Sequence, residues 1–242
     1  MINLTPNALT VAPRKVLAAL VLMSLAIGAA SVFGQYLRFF QGVDEYSKFG
    51  LIDNFDVDEE ANIPTYYNTL LLLAAALLVA VVARTLRLTG DPMSTRWRVL
   101  AVIFFVLSVD EAAGIHEEVS DIVPKTDVFG GTLYFGWVVV YAVVVVVVGW
   151  YVLPLLRGLP RRHRMRFIAS AVVYVSGALF VELVEAAITL RTGDETWRYQ
   201  LVSTVQEVAE MVGVALFIWA LLKLIESRDP ILRATVGVSE SN

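Results

Sequence analysis

The sequence has no cysteine in 242 residues, which excludes a disulfide scaffold, a thiolate metal site and a cysteine nucleophile. Charge is also scarce. Asp, Glu, Lys and Arg make up 17% of the chain, where a soluble domain carries roughly a quarter. What fills the space is apolar: 57% hydrophobic residues and a mean hydropathy of +0.68. That composition excludes a disordered chain. The apolar residues stand in long runs broken by short polar stretches, the pattern of an integral membrane protein.

A helix needs about 20 apolar residues to cross the hydrocarbon core. Six segments qualify, at about 16–34, 67–84, 98–118, 133–154, 167–190 and 201–224. The predicted fold class is therefore all-α, a polytopic membrane protein with six transmembrane helices in one domain, 1–242, and an outer loop at 35–66. The fourth segment is rich in valine (Val138–Val140, Val143–Val148) and is flanked by Tyr134, Trp137, Tyr141, Trp150 and Tyr151. In water such β-branched runs read as strand. In lipid a lone strand leaves its backbone unsatisfied, so helix wins, with the aromatics as interfacial belts. The first segment has features of a signal peptide: Arg14 and Lys15 precede it, and Gly28-Ala29-Ala30-Ser31 is small. Its apolar run is long for that role, which favours an uncleaved first helix.

Lys and Arg set the orientation. Fourteen fall on one side of this topology and five on the other (Arg38, Lys48, Lys125, Arg191, Arg198), placing both termini in the cytoplasm of a cell (inner) membrane protein. The acids are more lopsided still, because only Asp91, Glu226, Asp229 and Glu240 fall on the basic side. The basic stretch Arg161–Arg166 abuts a membrane helix, so it reads as a topology signal that touches anionic lipid, not as a nucleic-acid site. The expected partners are the lipid bilayer and a lipid-borne substrate, with no nucleic acid; the oligomeric state is left open. In the outer loop, Asp56-x-Asp58-x-Glu60 faintly resembles a calcium loop. Ala61 and Tyr67 stand where an EF-hand needs Gly and Glu, so it is not an EF-hand; a plain solvated loop is favoured over a weak cation site.

The informative residues are carboxylates inside the helices. Helix three reads Ser108-Val-Asp110-Glu111-x4-His116-Glu117-Glu118, helix five holds Glu182-x-x-Glu185, and helix six holds Gln206-Glu207-x-x-Glu210. Helical spacing puts Asp110 with Glu117, Glu182 with Glu185 and Thr189, and Glu207 with Glu210 on shared faces. At 1.5 Å per residue, Asp110, Glu182 and Glu210 lie at similar depths, roughly 12–14 Å below the outer ends. Each buried acid costs about 2.5–3.5 kcal/mol on insertion scales unless it is paired, protonated or wetted. The predicted metal ligands are Asp110, Glu111, His116, Glu182, Glu185, Glu207 and Glu210. Oxygen donors with one imidazole suit Mn, Fe or Ca, and Zn if His116 coordinates. A protonated polar network without metal and a wet, cation-attracting vestibule are the alternatives. His116 and Glu117 are the candidate acid/base pair near the mouth.

The string Ser108-Val-Asp110-Glu111-x4-His116-Glu117 occurs here with Glu60-Ala-Asn62-Ile-Pro64-Thr65 and Glu207-x-x-Glu210-x-x-Gly213. Together they resemble a family of uncharacterised bacterial multispanning membrane proteins, over about residues 53–224. The resemblance implies no assigned activity; it implies that Glu60, Asn62 and Thr65 lie over the pocket, as a lid or substrate-binding group. Ferritin-like di-iron proteins share the carboxylate-lined bundle but need Glu-x-x-His twice. Alkaline-ceramidase-like membrane hydrolases share Ser and Asp but need further histidines. Neither activity carries over.

Three functions follow. The first is an enzyme in which a divalent metal activates water or oxygen against a lipid-borne or extracytoplasmic substrate. The second is a cation or proton transporter or channel. The third is a structural or metal-sensing subunit. Transport needs a polar path through both halves of the membrane. The inner halves of helices three, five and six offer only Ser170, Tyr174, Ser176 and Gly177, and none of the three contains proline. The sequence thus favours a pocket closed at its cytoplasmic floor.

Overall fold

The computed structural model describes residues 12–43, 50, 52–115, 137–193 and 196–227, and among them there is no strand. Helix α1 spans Pro13–Gln41, α2 Ile63–Leu88, α3 Ser94–Ala113 and α4 Trp137–Gly158. Then come α5 (Arg161–Val175), α6 (Glu182–Thr192) and α7 (Trp197–Ser227). A π-helical turn, Ser176–Val181, joins α5 to α6, so the two form one run, Arg161–Thr192.

Five described stretches are long and apolar enough to cross a membrane: α1, α2, Val140–Gly158 of α4, the α5–α6 run and α7. Helix α3 has the length, at 20 residues, but carries Arg96 and Arg98 near one end and Asp110 and Glu111 near the other, and is not among the five.

Most helices outrun the apolar segments that announce them, because polar end residues lower hydropathy without breaking the backbone ladder. Asn62 caps α2: its side chain accepts the Thr65 N–H at 3.1 Å, and Pro64 sits in the first turn, where a missing N–H costs nothing. Helix α1 runs on to Gln41, so the connection to α2 covers 42–62 rather than 35–66. Helix α3 is shorter than expected. It stops at Ala113 with Gly114 at φ 58°, a left-handed value that glycine adopts without a Cβ clash. The expectation of one unbroken helix to Glu118 is therefore corrected.

Helix α7 is the hub, packed against α1, α2, α5, the π turn and α6, while α2 pairs with α3. Helix α4 stands at the edge against α3 and α5 with Val143–Val147 exposed, as suits a face that meets lipid. In lipid, close backbone approach replaces the hydrophobic effect as the force between helices. A Cβ on Gly213 would fall 2.7 Å from the backbone nitrogen of Tyr174, and one on Gly177 would fall 2.9 Å from the carbonyl oxygen of Gln206. Small residues thus seat α5 and the π turn on α7. Helices α1 and α7 run antiparallel: Phe39 and Phe40 meet Trp197 edge-on at 6.3 and 5.2 Å. The amino end of α1, with Arg14 and Lys15, lies at the same end of the bundle as the carboxyl end of α7.

Candidate functional site

Helix α7 presents Glu207 and Glu210 one turn apart. The charged groups that act most strongly on Glu207 are four other carboxyls: Glu210, Glu111 of α3, Glu185 of α6 and Glu60 of the α1–α2 connection. Three helices and a loop thus converge their acids on one region. Glu185 is only 3% exposed, and Asp110 of α3 is buried, accepting the Tyr141 hydroxyl of α4 at 2.8 Å. Tyr174, held against Gly213, lies within electrostatic reach of Glu210, Glu111, Glu207 and Asp110. The sequence predicts two layers, Asp110, Glu182 and Glu210 below Glu111, Glu185 and Glu207; in the fold Glu210, Glu111, Glu185 and Glu60 all act on Glu207.

The connection between α1 and α2, referred to below as the cap, is tied to α1 and α7. Residues 53–55 form a short 3-10 turn, and the chain after it is pinned to two helices. Asp56 accepts Gln35 Nε2 of α1 at 2.5 Å. Asp58 accepts Gln200 Nε2 at 3.1 Å and the Ser203 hydroxyl at 2.8 Å, both from α7. The Val57 N–H reaches Ser31 Oγ at 3.3 Å. Asn62 ties the far end, donating its amide to the carbonyls of Asp53, Asp56 and Glu59. Burial pushes the Asp56 carboxyl up from its usual 3.8 to about 6. The Asp58 N–H opposes the shift, the Asp58 charge adds to it, the Gln35 amide opposes it and the Glu59 charge adds again.

Beneath the acids lies an aromatic stack. Phe104 of α3 stacks on Phe217 of α7 with centroids 4.3 Å apart; Phe217 meets Phe167 of α5 at 5.4 Å, and Phe167 meets Trp97 at 6.1 Å. Phe104 precedes Asp110 by about 9 Å of helix, and Phe217 follows Glu210 by about 10 Å, both towards the arginine-rich end.

The expected residues divide into those the structure places and those it does not describe. Glu111, Glu185, Glu207 and Glu210 come together, with Glu60 reaching them from the connection. Asp110 stands beside them, tied to Tyr141. Glu182 opens α6, but its side chain lies outside the described residues, as do His116 and Glu117. Among the described residues, no three Asp, Glu or His side chains are arranged to hold a metal ion. Asn62 and Thr65 are capping residues: Thr65 Oγ1 donates to Asn62 Oδ1 at 3.1 Å and to the Glu59 carbonyl at 3.4 Å. Ser108 donates to the Thr69 carbonyl at 3.0 Å, a helix-pairing bond.

Sequence reasoning missed the residues that receive the cap. Gln35 and Gln200 are the signal in retrospect: amides set near the ends of apolar helices, where burial demands a partner. It also missed the π turn, whose only trace is Ser176-Gly177 amid apolar neighbours. Such turns concentrate at functional sites, and this one lies next to Gln206 and Glu210.

The chain belongs to the family described as Domain of unknown function (DUF8692), whose model matches residues 15–224. No curated protein and no solved structure matches it.

Proposed function

With that family membership as the premise, we propose that this is an inner-membrane protein of six spans with both termini cytoplasmic, α3 being the sixth. We propose further that its outward-facing carboxylate cluster binds a divalent metal ion and serves an enzyme acting on a lipid-borne or extracytoplasmic substrate. The observation that carries the reading is the convergence of Glu60, Glu111, Glu185 and Glu210 on Glu207 from four segments of the chain. Like charges gathered in a low-dielectric interior are costly unless a cation or shared protons compensate them. The donors are oxygen, which suits Mn, Fe or Ca; zinc would need His116.

A bound divalent ion would supply Lewis acidity and an activated water or oxygen. Glu111, Glu185, Glu207 and Glu210 are the first candidates to hold it, drawn closer than they now stand, with Glu182 and Asp110 as further donors. Tyr141 orients Asp110 through its hydroxyl. Glu60 admits or excludes water from the cap side, and His116 or Glu117 moves the proton at the mouth. The stack of Phe104, Phe217, Phe167 and Trp97 argues against a path through the bundle, which makes cation or proton transport the weaker reading.

Elemental analysis of detergent-purified protein tests the proposal, with Glu182→Ala and Glu207→Ala beside the wild type. The expected result is stoichiometric metal in the wild type and none in either variant. Metal-free wild type that drives proton-dependent cation uptake into liposomes would establish the transport reading instead.

A further inference from the structure

Helices α1 and α7 pack against each other and leave a groove along one side of their seam. Its volume is about 780 Å³, within the roughly 300–1,000 Å³ of ligand pockets. One wall runs from Leu25 to Tyr36 on α1, the other from Trp197 to Val212 on α7. Small side chains make the hollow. A Cβ on Gly28 would strike Val208, so the two helices come close there, and Ala29 and Ala209 add little bulk beside them. Below the aromatic tips of Tyr36 and Trp197 the walls are apolar except for Thr204, whose hydroxyl is spent on the Gln200 carbonyl at 2.8 Å. Leu25, Phe33, Tyr36 and Val205 are exposed, so the groove opens sideways from the bundle. Thr204, Val208 and Val212 lie on a different face of α7 from Glu207 and Glu210, which keeps the groove separate from the carboxylate cluster.

Water finds no polar partners along such walls, and an empty space would forfeit the dispersion contacts of its lining. In a membrane the material at hand is hydrocarbon. The walls measure about 16 Å along α1 and about 22 Å along α7, against roughly 20–22 Å for one leaflet with its headgroups. The mouth has the chemistry of a headgroup site. Trp197 meets Phe39 and Phe40 edge-on there, as aromatics do at a membrane interface. Arg198 is exposed and stands two turns beyond Val205 on the same stripe of α7. From α1, the Arg38 guanidinium lies over the Phe39 ring, 5.6 Å from its centre, and borders the same mouth. Two guanidiniums above an apolar trough complement a phosphodiester carried on an acyl chain. A helix from a second copy would fill the trough but not answer the charge at its mouth.

We propose that this groove binds one membrane phospholipid, its acyl chain along the α1–α7 seam and its phosphodiester on Arg198 and Arg38. The lipid would brace the two helices to which Asp56 and Asp58 anchor the cap. The assignment stands whether or not the carboxylate cluster binds metal.

Native mass spectrometry of the full-length protein in detergent, titrated with dioleoyl phosphatidylglycerol, tests the assignment. The wild type is expected to retain one lipid. Dioleoylglycerol, with the same chains and no phosphate, should bind about fivefold more weakly or worse. Arg198→Gln should cut retention of the phospholipid about fivefold and leave that of dioleoylglycerol unchanged. Ala29→Phe and Val205→Trp fill the groove from opposite walls, and each should cut retention of both lipids about tenfold. Val205 is 61% exposed, so its variant keeps the test open if Ala29→Phe fails to fold. Val146→Phe, on the exposed face of α4, should change nothing. Retention that is equal in the wild type and the groove variants would overturn the assignment, as would equal affinity for the two lipids or an equal loss in Val146→Phe. Self-cross-linking of Ala29→Cys in native membranes would also overturn it, by placing a second copy in the groove; the chain has no cysteine of its own to confuse that readout.

Discussion

Asp56→Asn is the most direct test of how the cap is held. In the folded protein the Asp56 carboxyl titrates near 6 rather than 3.8, chiefly because it is buried against α1. Its proton is bound more tightly in the folded chain than in the unfolded one. The stabilisation this provides is fully present below about pH 4 and is lost as pH rises through 6. A shift of this size corresponds to at most about 3 kcal/mol between the two limits, and residual solvation of the loop reduces it. Converted to a melting midpoint, that is on the order of 5–10 °C for a chain of this size. The assay is thermal unfolding in detergent with EDTA, from pH 4.5 to 8, wild type beside Asp56→Asn. The wild type should lose stability between about pH 5 and 7. The asparagine variant, which keeps a hydrogen-bonding group but no titrating proton, should lose less over that window and be the more stable protein above pH 6. Equal slopes for the two proteins across that range would refute the reasoning, because the titrating group would then lie elsewhere.

Two further outcomes follow from packing and capping. Gly213→Ala forces a methyl group to within 2.7 Å of the Tyr174 backbone, so α5 must move off α7. The expected cost is about 1–3 kcal/mol, read as a lower melting midpoint, and an unchanged midpoint would mean that the two helices are not in close contact. Asn62→Ala removes the cap of α2 together with three side-chain bonds to the connection. It should cost about 1–2 kcal/mol and raise the rate of proteolysis within residues 53–62; unaltered proteolysis would show that the loop is held without it.

The sequence by itself determined the apolar, membrane-spanning class and the helical runs. These follow from local quantities: apolar run length, the demand that backbone groups pair within a segment in lipid, and a rise of 1.5 Å per residue. Glu207 and Glu210 sharing a face was legible for the same reason. The ends of the helices were less legible, since Asn62, Gly42 and Gly114 act through capping geometry that hydropathy does not register. Only the tertiary structure decided what depends on contacts between distant segments. Asp58 and Gln200 stand more than a hundred residues apart in sequence, and nothing local in either announces the other. The aromatic contacts of Phe104, Phe167 and Phe217 likewise need α3, α5 and α7 side by side. Which acids meet is a matter of helix rotation, and rotation is fixed by where backbones can approach. Here Gly177 and Gly213 seat the π turn and α5 against α7 and so bring Glu185 towards Glu207.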